Sequence, residues 1–173
     1  MKRLTREEKF MRKAIAAAKR GLKQGEVPIG AVVVFEDKVI ASGYNRRAKL
    51  QLASAHAEMM AIDRACKKFG SWRLPEGCEL YVTLEPCPMC MGASLNARVD
   101  KVYFGAYEQK GRSLTDEIAN ANLLNHKTEV IGGVLGEECS ALLSSFFISM
   151  RQKQKEEKER KKAETDNFSY EEI

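Results

Sequence analysis

No stretch of this chain approaches the roughly 18 uninterrupted apolar residues that a membrane-spanning helix needs. Its first residues are charged from Lys2 onward and lack the apolar core of an export signal. Proline is scarce, with 4 residues, there is 1 tryptophan, and the 12 glycines are an ordinary share, so collagen, long linkers and global disorder are excluded. Histidine is scarce too: His56 and His126 are the two candidates for any site needing imidazole. The cysteines (Cys66, Cys78, Cys87, Cys90, Cys139) are odd in number. Without an export signal, that argues against a disulfide scaffold and for metal binding or free thiols. What is present is core material: 173 residues, 44% hydrophobic, supply one domain and too little for two. The expectation is a cytoplasmic, single-domain protein with no membrane partner.

Charge is unevenly placed on a chain of net +5. Residues 1–20 carry eight basic and two acidic groups, residues 151–162 carry seven and three, and the last eleven carry four acidic groups and no basic one. Basic segments near both ends fit a polyanionic partner; they also fit a solvated helix face with a frayed tail. The composition divides the chain into a domain, 1–151, and a charged helix end and tail, 152–173.

The hydrophobic pattern alternates between helix and strand. Thr5 and Glu8 have capping-box spacing, and Phe10, Met11, Ala14, Ile15, Ala18 and Leu22 recur at helical period behind them. Residues 29–35 (IGAVVVF) read as a buried strand, Glu36-Asp37 as a tight turn and residues 38–45 as its hairpin partner. Residues 53–70 predict a helix starting near Ser54 or Ala55 and stopped by Gly70. Residues 79–84 predict a strand, 86–97 a helix opened by proline, 101–106 a third apolar run and 128–135 a weaker fourth. A short helix fits 114–124, and a long one 137–162. This order argues an α/β domain, a three-layer α/β/α sandwich with helices on both faces of a mixed sheet. Functional groups then belong at strand ends and helix starts.

Two pieces carry chemistry: His56-Ala57-Glu58 and Glu85-Pro86-Cys87-Pro88-Met89-Cys90. Cys87 and Cys90 share one face of a first helical turn, whose unpaired N–H groups and positive dipole end favour thiolates. Two thiolates and one imidazole supply three of the four tetrahedral positions of Zn²⁺, leaving one open. On a regular helix His56 and Glu58 point about 200° apart, so Glu58 is not a fellow ligand. In the first turn it can sit beside the ion and move protons between an activated water and a substrate. Each piece alone has a bland explanation. A lone Cys-x-x-Cys also suits a redox dithiol, His-x-Glu recurs by chance, and His126 reads as a surface or capping residue. Cys66, Cys78 and Cys139 read as buried structural cysteines.

Together the pieces match the zinc nucleobase-deaminase signature, His-x-Glu followed by Pro-Cys-x-x-Cys. Residues 26–34 (EVPIGAVVV), 43–45 (GYN), 55–62 (AHAEMMAI), 80–93 (LYVTLEPCPMCMGA), 124–126 (LNH) and 142–147 (LLSSFF) extend the match. Across about residues 7–151 the chain resembles the bacterial tRNA-specific adenosine deaminases. That resemblance implies the cytidine-deaminase-like fold, a mixed five-stranded sheet, one Zn²⁺ per subunit and a homodimer. It implies conversion of adenosine to inosine at the wobble position of a tRNA anticodon stem-loop. It makes His56, Cys87 and Cys90 the zinc ligands and Glu58 the proton shuttle. Asn45 and the backbone around Ala57 would hold the flipped base, with Glu108, Lys110, Phe147 and Arg151 around it. The chain departs from the family pattern at Glu108, where aspartate is usual nearby, in the shortened loop Gly111-Arg112-Ser113-Leu114, and at Ile148, where arginine is common. Two rival functions are a deaminase of free nucleobases or nucleosides and a nucleic-acid-binding module with a structural zinc.

Overall fold

The computed structural model describes residues 3–108, 115–121 and 125–168, with side chains through 163. The elements run α1 (Arg6–Leu22), β1 (Gly30–Phe35), β2 (Lys38–Tyr44), α2 (Arg47–Leu50), α3 (Ala57–Phe69), β3 (Glu79–Leu84), α4 (Pro88–Asn96), β4 (Lys101–Ala106), α5 (Thr115–Asn120), β5 (Glu129–Ile131) and α6 (Gly136–Phe168). The sheet order is β2-β1-β3-β4-β5. β1 is antiparallel to both β2 and β3, while β3, β4 and β5 are parallel. The fold is thus a mixed five-stranded sheet, as the element order requires.

Successive side chains of a strand point to opposite faces, and here both sets are apolar because both faces are covered. Ala31, Val33, Leu80, Val82, Val102 and Phe104 join Ala57, Ala61, Ile62 and Ala65 of α3 and Met91 of α4 in one core, with Ala119 of α5. Val32, Val34, Tyr81 and Tyr103 face the other way, onto Met11, Ala14 and Ile15 of α1 and Cys139, Leu142 and Leu143 of α6. These are the three layers. Among the described residues, no helix is long and apolar enough to cross a membrane.

Local chemistry sets the boundaries. Thr5 and Glu8 close their capping box at the start of α1. Glu36 and Asp37 both take positive φ (47° and 57°), the backbone of the two-residue hairpin turn. Gly70 ends α3 in the left-handed conformation, with φ 66°.

Four boundaries differ from expectation. α3 starts at Ala57, because residues before it turn locally: Ala55 N–H bonds Leu52 and His56 N–H bonds Ser54. β5 is confined to three residues of the apolar run, and Gly133 beyond it has φ 84°. α6 extends past 162, to Phe168. The short α2 has no local signal, since its first turn is held from a distance by Glu26. Lys110 and the shortened loop 111–114 lie outside the described residues.

Candidate metal centre and substrate cleft

The site is assembled where the parallel strands β3 and β4 end, with Leu84 opposite Ala106. Beyond β3 the chain turns through Glu85 and Pro86 to Cys87, the N-cap of α4, with Pro88 as its first residue. α3 is brought to the same edge by close packing on β2. A Cβ at Gly43 would strike the Ala57 carbonyl and the Ala61 amide nitrogen, so only glycine lets the helix start sit there. Arg46 N–H bonds the Ala55 carbonyl at 2.9 Å and ties the end of β2 to the approach to His56.

His56 occupies the N-cap of α3, with extended backbone (φ −75°, ψ 156°). It therefore lies outside the helical geometry that sets its expected separation from Glu58; Glu58 is the second residue of the helix proper. Cys87 is the matching N-cap of α4 (φ −70°, ψ 166°), and Cys90 is the third residue of that helix. Two helix N-termini thus converge on one point, each with N–H groups that lack intrahelical partners and the positive end of its dipole.

The donor geometry fits zinc. His56 Nδ1 lies 3.7 Å from Cys87 Sγ and 3.6 Å from Cys90 Sγ. Zn–S of about 2.3 Å and Zn–N of about 2.1 Å at the tetrahedral angle place nitrogen and sulfur about 3.6 Å apart. Among the described residues this is the one group of three or more His, Cys, Asp or Glu whose ligand atoms all lie within 4.8 Å of one another. His126 is elsewhere: its Nε2 donates to the Val99 carbonyl at 2.9 Å, near the opposite end of β4. Cys66, Cys78 and Cys139 are free thiols outside the group. Burial pushes Cys78 up to about 11 and Cys139 to about 12, as suits structural cysteines.

The electrostatics of the triad are those of a thiolate site. Hydrogen bonds from Cys90 and His56 hold the Cys87 thiol far below its ordinary value, to about 3. Cys90 is pushed up by its bond to Cys87, its burial and the nearby Glu58 carboxylate. The bond to Cys87 raises His56 against the effect of its partial burial. Glu58, 4% exposed, has its carboxyl pushed up by burial. Burial disfavours the charged form, so this carboxyl holds its proton more tightly than an exposed glutamate would.

Above the triad opens a cleft of about 600 Å³. Its lining includes Asn45, His56, Ala57, Glu58, Cys87, Glu108, Phe147 and Arg151, so these expected site residues surround one space. Cys90 lies fully buried beneath it. The lining also includes residues to which the sequence alone assigns no role. Arg47 stands on the rim, and Tyr107 is 61% exposed with its ring edge-to-face with Phe104. Glu85 is buried and accepts the Glu108 N–H at 3.0 Å, fixing the segment after β4. Glu26 is buried behind Asn45. Its carboxylate accepts Asn45 Nδ2 at 3.2 Å, Ala48 N–H at 3.3 Å and Lys49 N–H at 2.7 Å. The available signal for Glu26 and Glu85 was an acidic residue in an otherwise apolar stretch beside a strand.

The family model of the cytidine and deoxycytidylate deaminase zinc-binding region matches residues 4–106. A tRNA-specific adenosine deaminase of Bacillus subtilis (strain 168) is 49% identical over 154 residues, 88% of this chain and 95% of that protein. A solved chain from a study of A-to-I editing by tRNA:A34 deaminases at the wobble position of transfer RNA superimposes with a TM-score of 0.71 at 38% identity, covering 78% of this chain and 99% of that one. A guanine deaminase from Nitrosomonas europaea reaches the same TM-score of 0.71 at 25% identity, over 84% of this chain and 86% of the other. The chain belongs to the cytidine and deoxycytidylate deaminase zinc-binding family and, within it, to the tRNA-specific adenosine deaminases.

Proposed function

We propose that the protein hydrolyses adenosine to inosine at the wobble position of a tRNA anticodon loop, releasing ammonia. The observation that carries this reading is the common cleft. The residues that the tRNA deaminase pattern assigns to metal, proton transfer and base recognition line or underlie one cavity, with Phe147 and Arg151 on its rim.

His56, Cys87 and Cys90 would hold one Zn²⁺, which supplies a Lewis acid that makes water nucleophilic near neutral pH. Glu58 takes the proton shed by the attacking water, passes it to the ring nitrogen next to C6, and serves the departing amino group. Its burial suits this, since desolvation raises the proton affinity of the carboxyl. Asn45, anchored by Glu26, orients the base, and the Ala57 backbone faces the same space. Phe147 and Tyr107 offer aromatic faces to neighbouring unstacked bases, and Glu108 and Arg151 border the loop backbone. A tRNA substrate fits a cytoplasmic enzyme. Exposed apolar side chains such as Met89 on α4 and Leu52 suit a homodimer, whose test is the mass in solution.

The free-base reading has the guanine deaminase likeness in its favour and the basic chain ends against it, because a free base needs no phosphate-attracting surface. The deciding assay compares inosine formation in an anticodon stem-loop bearing adenosine at the wobble position with ammonia release from free guanine, cytidine and adenosine. The stem-loop should react orders of magnitude faster, since free compounds forfeit the remote binding energy that aligns the base. Efficient turnover of a free base with an inert stem-loop would replace this reading with the rival.

A further inference from the structure

Beyond the cleft, α6 runs on for more than four turns with every side chain from Arg151 to Ala163 exposed. Within the cleft, Ser140, Ser144, Phe147 and Arg151 recur at spacings of four, three and four, marking the face of α6 turned to the substrate. The same spacing continues through Lys155, Lys158 and Lys162. At 100° per residue these lysines lie within about 40° of Arg151, whereas Glu156, Glu157 and Glu159 lie about 80–140° away. The acids of this segment are thus kept off the line of the cleft.

Along the row itself, like charges repel. Arg151 and Lys155, and Lys158 and Lys162, are like-charge pairs four residues apart, each destabilising by about 0.2–0.5 kcal/mol. On the flank the opposite occurs: Glu157 pairs with Lys161 at 2.7 Å, the spacing that stabilises a free helix. Lys155 has an acid within reach, Glu159, but at 3.9 Å and with both side chains mostly in water the contact is loose and easily exchanged. A merely solvated helix would gain from close pairs all round. A row of four cations about 16 Å long, continuous with the substrate cleft, is matched instead to a row of external negative charges.

We infer that Arg151, Lys155, Lys158 and Lys162 form a phosphate-binding ridge that carries the substrate's RNA backbone away from the cleft, contacting the stem below the deaminated loop. The inference rests on the RNA reading above. Its ligand is the phosphodiester backbone, so it adds affinity and orientation without base specificity.

The test uses the full chain with two exposed double substitutions of equal charge: Lys158→Gln with Lys162→Gln on the ridge, and Lys153→Gln with Arg160→Gln off it. Affinity for an anticodon stem-loop is measured from 50 to 200 mM salt, alongside a short loop oligonucleotide lacking the stem. Two lost phosphate contacts should flatten the log–log salt slope by about 2, so that wild type loses about tenfold more affinity than the ridge variant over that range. The off-ridge variant should keep the wild-type slope, and the loop oligonucleotide should bind ridge variant and wild type alike. Equal effects of the two variants on the stem-loop, or none, would overturn the ridge while leaving the substrate reading intact. Equal weakening for the loop oligonucleotide would overturn its placement on the stem. If wild type neither binds nor deaminates the stem-loop, the substrate reading fails and the ridge with it.

Discussion

Glu26 and Asn45, nineteen residues apart in sequence, meet in the interior, where the carboxylate accepts the amide Nδ2 hydrogen at 3.2 Å. Both are nearly inaccessible, at 3% and 5% exposed, and the second carboxylate oxygen accepts the Lys49 N–H. An amide side chain can present oxygen or nitrogen with the same shape. A partner that only accepts hydrogen bonds selects one orientation, and here it also fixes the first turn of α2.

Glu26→Ala should therefore loosen the base-holding wall while leaving the metal in place. Misplacement of a reacting group by about 1 Å costs about a hundredfold, so kcat/KM should fall by ten- to a hundredfold with zinc stoichiometry unchanged. Stability should fall too, because two backbone N–H groups lose their acceptor, at about 1–3 kcal/mol for each that stays unsatisfied. Glu26→Gln, which can still accept, should recover much of the stability and less of the activity. Steady-state kinetics with metal analysis on the same samples checks this; wild-type kinetics in Glu26→Ala would remove Asn45 anchoring from the account.

The zinc assignment predicts a sharp division among the cysteines and histidines. Cys87→Ser, Cys90→Ser and His56→Ala should lose the metal, whereas Cys66→Ser, Cys139→Ser and His126→Ala should retain it. Because ligands must shed protons to bind, retention in the wild type should fall as pH falls. Elemental analysis after dialysis against a chelator reads all of these. Full zinc in Cys87→Ser would break the ligand set, and loss in His126→Ala would revive a structural zinc with a fourth protein ligand.

Gly43→Ala should act on the site from below. The added methyl would press on the Ala57 carbonyl and the Ala61 amide, so α3 must move outward and take His56 with it. Overpacking of this kind costs about 1–3 kcal/mol. The expected result is a lower denaturation midpoint together with weakened zinc retention. A destabilised protein that still holds zinc as tightly as wild type would separate the β2–α3 contact from the metal site.

Much of this was legible before the structure, for a physical reason. Helices cover both faces of the sheet, so its inner strands carry apolar side chains towards both, and an unbroken run such as Ala31-Val32-Val33-Val34 announces itself. The metal site was legible because zinc demands particular donors at particular spacings, and Pro88 marks the helix start that bears two of them. What escaped was long-range polar support. Glu26 caps α2 and holds Asn45 across a gap that no local periodicity reports, and Glu85 fixes Glu108 across two strands. The start of α3 is later than its pattern suggests because Ala53 and Ala57 continue the four-residue spacing of Ala61 and Ala65, while turn hydrogen bonds keep His56 outside the helix.

Glu58 is proposed to move protons for the deamination of a tRNA adenosine at a zinc centre it does not ligate. Its most direct test is single-turnover conversion of an anticodon stem-loop by wild type and Glu58→Ala, with zinc content and RNA affinity measured on the same preparations. The variant should hold one zinc per chain and bind RNA with unchanged affinity, with the rate reduced by about 10²–10⁴-fold or more. A variant that keeps its zinc and reacts within tenfold of wild type would contradict this role.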